Sequence, residues 1–475
     1  MSVTFQLGQS MSATDANTLV FLSPPLPIGV AQHGPPRREP VCGAVVMPPR
    51  SSRPSSLETP MPLSEGTRRR TAEELSDYVC QLGELLLRYG CPSYRVESLI
   101  RTVAELEGHE ARAFALPTAL FVTVEPRGGD VRVAPVHRMA RVNQWGIDLG
   151  KLLHVDAIFN DVANGKRTIE QARADLALLV ARPPAYAPWS LWLAAALTSG
   201  AAAVLFRGSA VDVALAAMTG VVLFALGALL GKHPQARFLL DFAGALVASL
   251  LAAAGTSFAG GSREVVLLAG MIGLFPGMTF TTGLAELAQK NLVAGSARLM
   301  EAAVTFVALV FGIALSIALT SWLDVGNEPA PVRVPLPWPV QAAAAVGISL
   351  GLGVVFSVPR KLLWTALVSG AAGYAATALA GPNLPPYVAA FVAATTVCAM
   401  ANLLARRTGR PAQLYQLPGM MLLVPGSLGF LSLGELLKGT YQAGVEKGLL
   451  TLLIAGGLVM GVLLSNVLFP PNKLL

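Results

Sequence analysis

From Pro188 to the end of the chain, apolar stretches of about 18–22 residues alternate with short polar connections. A helix of about 20 residues crosses the hydrocarbon core of a bilayer, so each stretch predicts a membrane-spanning helix. Glycine and proline interrupt the fourth and ninth stretches. The ten predicted spans are 188–206, 210–231, 238–258, 265–287, 300–323, 338–358, 362–381, 386–404, 414–436 and 448–469.

Residues 71–183 have the patterns of a small soluble α+β domain. Thr71 and Glu74 form a capping-box signature for a helix that ends before Gly90. Apolar positions spaced three or four residues apart predict a second helix after it, and a Pro-Arg-Gly-Gly turn predicts a hairpin. The predicted elements are helices to about 89 and over 92–107, strands at 111–116, 119–124 and 130–136, and helices at 141–163 and 168–181.

Residues 1–70 have no apolar period and are rich in proline, serine and arginine. Such a segment buries too little apolar surface to offset its chain entropy, which predicts a disordered tail. It also lacks the basic start and the unbroken apolar run of a signal peptide.

Composition supports a membrane protein, because 53% of the residues are hydrophobic and only 13% are charged. Soluble domains carry about 25% charged residues. The four cysteines lack metal-binding or paired spacing, and no phosphate-binding loop occurs. We therefore expect no metal and no cofactor, and we expect the lipid bilayer, rather than nucleic acid, as the partner of this basic chain.

The basic residues between the spans predict the orientation of the chain, since Lys and Arg concentrate on the cytoplasmic side of a membrane. Eleven lie on the side of the α+β domain and five on the other. This distribution predicts that both termini and the α+β domain are cytoplasmic.

The second half of the membrane region repeats the first at an offset of 149 residues. Pro276-Gly277, Glu286-Leu287 and Ala294-Gly295 recur as Pro425-Gly426, Glu435-Leu436 and Ala443-Gly444. We interpret 188–325 and 337–475 as two copies of a five-helix unit. An odd number of spans in each copy inverts the second copy relative to the first, as in many secondary transporters.

Interrupted spans at matching positions of two repeats indicate a substrate site. Proline removes an amide donor and glycine loosens the backbone, so both spans should break near the middle of the membrane. Backbone groups freed there can bind a small polar solute or a cation, although each Pro-Gly could also simply kink a buried helix. The predicted substrate-binding residues are Pro276, Gly277, Thr279, Thr281, Thr282, Pro425, Gly426 and Ser427.

Carboxylates inside membrane spans are costly to bury and are therefore candidates for function. Glu286 and Glu435 follow their prolines by nearly three helical turns, which places them near opposite faces of the bilayer. Together with Asp241 in the third span, they are candidates for proton coupling or gating, or else they are solvated at the interface.

The segment from Leu86 to Glu97, with Gly90, Arg95-Val96-Glu97 and a Cys-Pro-Ser turn, resembles the start of the threonine/serine exporter family. Members begin with a cytoplasmic domain and continue with about ten spans in two halves, and the resemblance covers residues 72–470. It implies a bacterial inner-membrane protein. Gly90, Arg95 and Glu97 also have a local interpretation, in which Gly90 ends a helix and the other two pair within the domain.

The sequence thus predicts an α-helical integral membrane protein, with ten spans as two inverted repeats after a small α+β domain and a disordered tail. We expect a secondary exporter of small amino acids, threonine and serine being favoured, that works by proton-driven antiport. The alternatives are dicarboxylate export on the same scaffold, and a membrane-anchored enzyme active in residues 71–183. A homo-oligomer is compatible with this pattern.

Overall fold

The computed structural model describes residues 71–127, 134–143, 146–233, 235–321, 336–381, 384–437 and 439–470, and the structural statements below concern these. The predicted disordered tail lies outside the described residues.

The N-terminal domain contains four helices and a three-stranded antiparallel sheet with the strand order β1-β2-β3. Helix α1 packs against β2 and β3, and α2 packs against β1. The elements are α1 Ala72–Arg88, α2 Ser93–Leu106, β1 His109–Leu116, β2 Ala119–Pro126, β3 Val136–Arg141, α3 Leu149–Ala163 and α4 Ile169–Ala181.

Local sequence explains how the first two helices begin and end. The Thr71 side chain accepts from the Glu74 amide at 3.4 Å, and the Glu74 carboxylate accepts from the Thr71 amide at 3.3 Å, which confirms the predicted capping box. Gly90 follows α1 with a φ of 95°, a conformation that a Cβ would disfavour. The chain can therefore turn at once into α2.

Two predicted elements of this domain are wrong in position. The third strand was expected at 130–136, partly outside the described residues, but it runs from Val136 to Arg141 and pairs with β2. The next helix was expected from residue 141, but it begins at Leu149 because the Asp148 side chain accepts from the Lys151 amide and caps it.

The membrane region follows the predicted order of spans. Among the described residues, nine helical stretches are long and apolar enough to cross a membrane, and one of them, Gln413–Leu436, is itself interrupted at Pro425. The remaining predicted span, 265–287, forms two shorter helices on either side of a break. The helices are α5 Pro188–Leu205, α6 Ala210–Leu230, α7 Leu240–Ala259, α8 Arg263–Gly270, α9 Gly277–Ala288, α10 Leu292–Ser321, α11 Trp338–Val355, α12 Leu363–Ala380, α13 Pro386–Thr408, α14 Gln413–Leu423, α15 Gly426–Leu437 and α16 Tyr441–Leu468.

One face of α10 shows why these helices suit a lipid environment. Met300, Val304, Val307 and Phe311 recur at helical spacing and are each more than 60% exposed, whereas Leu309 on the other face is fully buried. Such a long apolar stripe is stable only against lipid or another apolar partner. Together with the other apolar helices, it confirms an α-helical membrane protein preceded by a small sheet.

The two halves of the membrane region repeat the same packing. A Cβ placed on Gly312 in α10 would meet the Phe242 carbonyl oxygen in α7, and a Cβ on Gly461 in α16 would meet that of Phe391 in α13. Gly461 and Phe391 each lie 149 residues after their counterparts, Gly312 and Phe242. Small residues therefore allow the same close helix contact in each half.

The first helices of the two halves run antiparallel where they touch. Gly347 in α11 faces Ala201 in α5, and one turn later along α11, Gly351 faces Thr198 and Ala194, which lie earlier in α5. The direction of one helix is thus opposite to that of its counterpart, as inverted repeats require.

The N-terminal domain shares its hydrophobic core with one end of the membrane helices. The Leu149 amide donates to the Phe356 carbonyl at 2.8 Å, and the Tyr186 hydroxyl donates to the Val358 carbonyl at 2.5 Å. We call this end of the helix bundle the domain side. Packing of this kind couples the domain to the connection between α11 and α12.

Candidate functional site

The two broken spans meet where the two halves of the membrane region face each other. A Cβ on Gly277 would lie 3.1 Å from the Gly426 Cα, and a Cβ on Gly426 would lie 3.4 Å from the Gly277 Cα. The contacts are reciprocal, since Gly277 also meets Val424 and Gly426 also meets Phe275. Such reciprocity is the signature of an approximate two-fold axis.

Both breaks end with the start of a helix, so that two helix N-termini converge. The first turn of α9 closes with the Phe280 amide donating to Pro276 at 2.9 Å. In α15, the Gly429 amide donates to Pro425 at 3.2 Å. The three amides before each of these donors have no acceptor within their own helix. They and the helix dipoles favour a negatively charged group at this point.

A cavity of about 140 Å³ lies between the breaks and helices α5 and α11. Pockets for drug-sized ligands are usually about 300–1,000 Å³, so this cavity suits a smaller solute. Its wall is mostly apolar, with hydroxyl groups from one residue of each half. The lining residues are Thr198, Ala202, Leu205, Phe206, Ile272, Phe275, Gly277, Met278, Ile348, Leu352, Met421, Leu422, Val424, Gly426 and Ser427.

Of the hydroxyl residues predicted to bind substrate, one lines the cavity and another bonds within its own helix. Ser427 lines the cavity. Thr281 is buried and donates to the Gly277 carbonyl at 2.9 Å, and Thr279 and Thr282 are half-buried residues of α9 outside the lining set. Sequence reasoning missed Thr198, because a single hydroxyl in an apolar span carries no distinguishing signal.

Glu286 forms the centre of a polar cluster at the domain side. Its side chain is fully buried, and its carboxylate lies 3.3 Å from Arg298 Nε. The other carboxylate oxygen accepts from the Ser93 amide at 3.0 Å, in the first turn of α2. One carboxylate therefore joins α9, α10 and the N-terminal domain.

Glu435 repeats this pair in the second half. Its carboxylate lies 2.9 Å from Lys447 Nζ, with side chains 21% and 34% exposed. The spacing of twelve residues is the same as that from Glu286 to Arg298. The Thr440 hydroxyl also donates to Glu435 at 2.6 Å. This pair lies in the half that has no attached domain and is more accessible to solvent.

Asp241 is half-buried near the domain side, and it accepts from the Thr305 hydroxyl of α10 at 3.2 Å. Glu301, one turn before Thr305 on the same helix, is within electrostatic range of Asp241. The structure thus places the carboxylates of Asp241 and Glu301 near each other, and the sequence analysis identified only Asp241 as a candidate.

Arg95 and Glu97 of the predicted motif in the N-terminal domain make contacts in different places. Glu97 accepts from the Ala115 amide of β1 at 2.9 Å. Among the described ion pairs, none joins Glu97 to Arg95, so the suggested local pair is wrong. Burial raises the pKa of Glu97, and the Ala115 N–H opposes this shift. Arg95 turns instead toward the membrane helices.

Nothing in the described part of the domain forms a catalytic arrangement around Ser93. His109 bonds the Glu107 carbonyl and His137 bonds the Thr123 hydroxyl. Burial raises the pKa of the Cys91 thiol to about 12, so it is not a ready nucleophile. No group of metal-binding side chains occurs within the described ranges.

Two family models match the chain. One, described as "Putative threonine/serine exporter", matches residues 77–320. The other, described as "Threonine/Serine exporter, ThrE", matches residues 341–468. The first alone spans more than half of the chain. Their boundary falls between the two halves of the membrane region.

Several curated proteins are similar to the chain. A Mycobacterium tuberculosis protein named "Probable threonine/serine exporter" is 24% identical over 432 residues, which cover 86% of this chain and 80% of that protein. A Corynebacterium glutamicum protein named "Threonine/serine exporter" is 25% identical over 395 residues, with 81% and 80% covered. An uncharacterized Schizosaccharomyces pombe protein is 28% identical over 263 residues, with 52% and 33% covered.

The matches thus span about a third of the length of the fungal relatives and about four fifths of that of the bacterial ones. No solved structure matches the chain. The names of the bacterial relatives describe transport proteins rather than enzymes.

Proposed function

Because the chain belongs to the threonine/serine exporter family, we propose that it is a secondary active exporter of small hydrophilic amino acids, with threonine and serine as favoured substrates. The observation that carries this proposal is the cavity of about 140 Å³ at which two helix N-termini from opposite halves converge. A binding site on a two-fold axis between inverted repeats is the arrangement expected of a carrier with alternating access.

The chemistry of the cavity suits a zwitterion. The free amides at the start of α9 and α15 bind the carboxylate. The carbonyl ends of α8 and α14, which carry the negative end of each helix dipole, face the same break and accept from the ammonium group. The Ser427 hydroxyl lines the cavity and can bond the side-chain hydroxyl of threonine or serine. The Thr198 hydroxyl donates to the Ala194 carbonyl at 2.8 Å, and its oxygen can still accept from that group.

Alternating access requires gates on both sides of the cavity. We assign the pair Glu286–Arg298 to the gate on the domain side and the pair Glu435–Lys447 to the gate on the other side. Asp241 is our candidate for the proton carrier, because it is half-buried and bonded to a hydroxyl rather than to a cation. Protonation of Asp241 would couple export to the proton motive force by antiport.

We place the protein in the inner membrane of a bacterium, with both termini and the N-terminal domain in the cytoplasm. The excess of Lys and Arg on the domain side supports this orientation. Export then moves substrate from the domain side to the side of Glu435.

The proposal is tested by amino-acid export from cells that accumulate threonine or serine from a dipeptide. Wild-type cells are compared with deletion cells, with and without an uncoupler. We expect faster export in wild-type cells and loss of that difference with the uncoupler. Equal intracellular accumulation in both strains would contradict amino-acid export.

Dicarboxylate export is the second candidate, because the two-fold axis presents two equivalent sets of amides, one for each carboxylate. The same strains are loaded with succinate in a parallel arm. Succinate export that depends on the gene, without threonine or serine export, would favour this candidate.

A further inference from the structure

Arg95 brings an unpaired positive charge from the N-terminal domain toward the membrane helices. It lies in the first turn of α2, with its guanidinium carbon 6.0 Å from the centre of the Tyr94 ring. Its Nη1 atom is buried and has no hydrogen-bond partner within the described part of the chain. The Arg95 side chain has a hydrogen bond with Tyr94, but the buried Nη1 group is left without an acceptor, which is unfavourable because nothing replaces the water that it has lost.

The surroundings of Arg95 place it on the domain side of the central cavity. The Arg95 charge acts on the Cys398 thiol of α13, and this sulfur accepts from Gln416 Nε2 of α14 at 3.0 Å. Gln416 precedes Met421, which lines the cavity, by five residues. At 1.5 Å per residue these two positions are about 8 Å apart along the helix. These contacts place Arg95 between the N-terminal domain and the cavity.

The charges around Arg95 leave it without a counter-ion. Glu286 and Arg298 act on the Cys91 thiol together with Arg95, so all three belong to one cluster. The Glu286 carboxylate is already bonded to Arg298 and to the first amide of α2. Glu97 is bonded to the sheet. Neither carboxylate therefore bonds the guanidinium of Arg95, and the carboxylate of a bound solute can pair with it.

Two further buried oxygens of this region have no partner among the described residues, Ser93 Oγ and Gln413 Oε1. Gln413 lies one turn before Gln416 on the same side of α14, whereas Ser93, two residues before Arg95, points away from Arg95 on α2. The Gln413 oxygen can accept from an ammonium group. Gln413 is thus a candidate acceptor for the ammonium group of a solute whose carboxylate pairs with Arg95.

We propose that Arg95 recognises the carboxylate of the transported amino acid when the domain side is open, before the substrate reaches the amides at the breaks. The inference rests on the proposed function and adds to it a binding residue from outside the membrane spans. In this structure the Nη1 atom is buried, so opening of the domain side must expose this atom to the substrate.

The test uses the full-length protein in proteoliposomes, with threonine as substrate and threoninol, which lacks the carboxylate, as competitor. For Arg95→Gln we expect the KM for threonine at the domain side to rise about tenfold or more, with unchanged inhibition by threoninol. Arg95→Lys keeps the charge without the planar fork and should give a smaller rise. Arg101→Gln, an exposed residue of the same helix, is the matched control and should leave both constants unchanged.

The outcomes separate this inference from the proposed function. If wild-type vesicles transport neither threonine nor serine, the proposed function fails. If wild-type vesicles transport threonine and Arg95→Gln leaves its KM unchanged, or shifts the threonine and threoninol constants equally, the inference fails. Where Arg95→Gln does not fold, as judged by thermal unfolding, Arg95→Lys decides, and an unshifted threonine KM overturns the role of Arg95.

Discussion

Gly277 and Gly426 occupy positions at which a side chain would collide with the opposite half of the molecule. A Cβ on Gly277 overlaps the Val424 side chain and lies 3.1 Å from backbone atoms of Gly426. Backbone cannot move aside as a flexible side chain can. These two glycines therefore set how closely the two breaks approach each other, which fixes the spacing of the converging amides.

We predict that Gly277→Ala reduces threonine transport by at least about tenfold, because a shift of about 1 Å at a positioned site costs one to two orders of magnitude. Gly273→Ala is the matched control, since a Cβ there meets nothing within 4 Å. Initial rates in proteoliposomes measure the effect. Full activity of Gly277→Ala, with normal membrane insertion, would show that the close approach is unnecessary.

Glu97 gives a prediction about pH and stability. Burial raises the pKa of Glu97, while the Ala115 N–H opposes the shift. An acid with a raised pKa in the folded state binds more protons there than in the unfolded state, so its contribution to stability falls as pH rises through that range. Glu97→Gln keeps an acceptor for the amide and removes the charge.

We therefore expect Glu97→Gln to unfold at a higher temperature than the wild-type protein at pH 7 and at the same temperature near pH 4. Thermal unfolding of the purified protein at both pH values measures this. Glu97→Ala, which loses the acceptor, should be less stable at both. A destabilised Glu97→Gln at pH 7 would contradict burial as the main cause of the shift.

At the scale of elements, the Pro-Gly pairs divide each broken span into two short helices with aligned dipoles. α8 ends at Gly270 and α9 begins at Gly277, and α14 ends at Leu423 before α15 begins at Gly426. A Pro-Gly pair alone does not cause this, because α14 contains Pro418-Gly419 without a break. What distinguishes the two breaks is that their glycines, Gly277 and Gly426, contact each other's backbone across the two halves.

We expect Pro276→Ala and Pro425→Ala each to reduce transport several-fold without preventing insertion, because alanine allows the helix to continue and consumes the free amides. Pro418→Ala is the control and should retain most of the activity. Transport rates and the amount of protein in the membrane are compared for the three variants. Full export by both break variants would disprove the proposed site.

The two gate pairs should differ in their contribution to stability. Removing one partner of a buried pair costs about 3–5 kcal/mol, and Glu286→Gln leaves Arg298, only 12% exposed, without its counter-ion. Glu435→Gln opens a more exposed pair, worth about 1 kcal/mol or less. Thermal unfolding in detergent should therefore separate the variants clearly. Equal destabilisation would mean that the pairs are equivalent.

The sequence predicts some of these elements and contacts but not others. The capping box at Thr71 and the interruptions of the two spans follow from local residue chemistry, and they lie where the sequence predicts them. β3 and the start of α3 were not, because pairing with β2 and the cap at Asp148 decide them. The bond from Ser93 to Glu286 joins residues 193 positions apart, and no periodicity indicates such a contact.

At the scale of the whole molecule, two inverted halves share one cavity, and one of them also carries a domain. Helices α5 and α11 cross antiparallel, and corresponding close contacts recur in each half. Equivalent residues of the two halves should therefore face opposite sides of the membrane. Ser296 and Val445, both exposed and 149 residues apart, form such a pair.

We predict that a membrane-impermeant thiol reagent added to intact cells labels Val445→Cys but not Ser296→Cys. The described native cysteines are buried, and Cys42 is replaced by serine to remove background. Permeabilised cells are the control, in which both positions should react. Labelling of both in intact cells would contradict inversion, and labelling of Ser296→Cys alone would reverse the proposed orientation.

The Ser93 amide of the N-terminal domain bonds Glu286, whereas Thr440 and Lys447 of the second half bond its counterpart Glu435. A difference in stability between the two gate pairs cannot alter the final concentration ratio of substrate across the membrane, because that ratio depends only on the driving ion gradient. The difference does set which conformation of the empty carrier is more populated. The apparent affinity for substrate is lower on the side to which the less populated conformation opens. Such a carrier would have different half-saturation concentrations for substrate on the two faces of the membrane. Re-uptake of exported amino acid would then require a different substrate concentration from export.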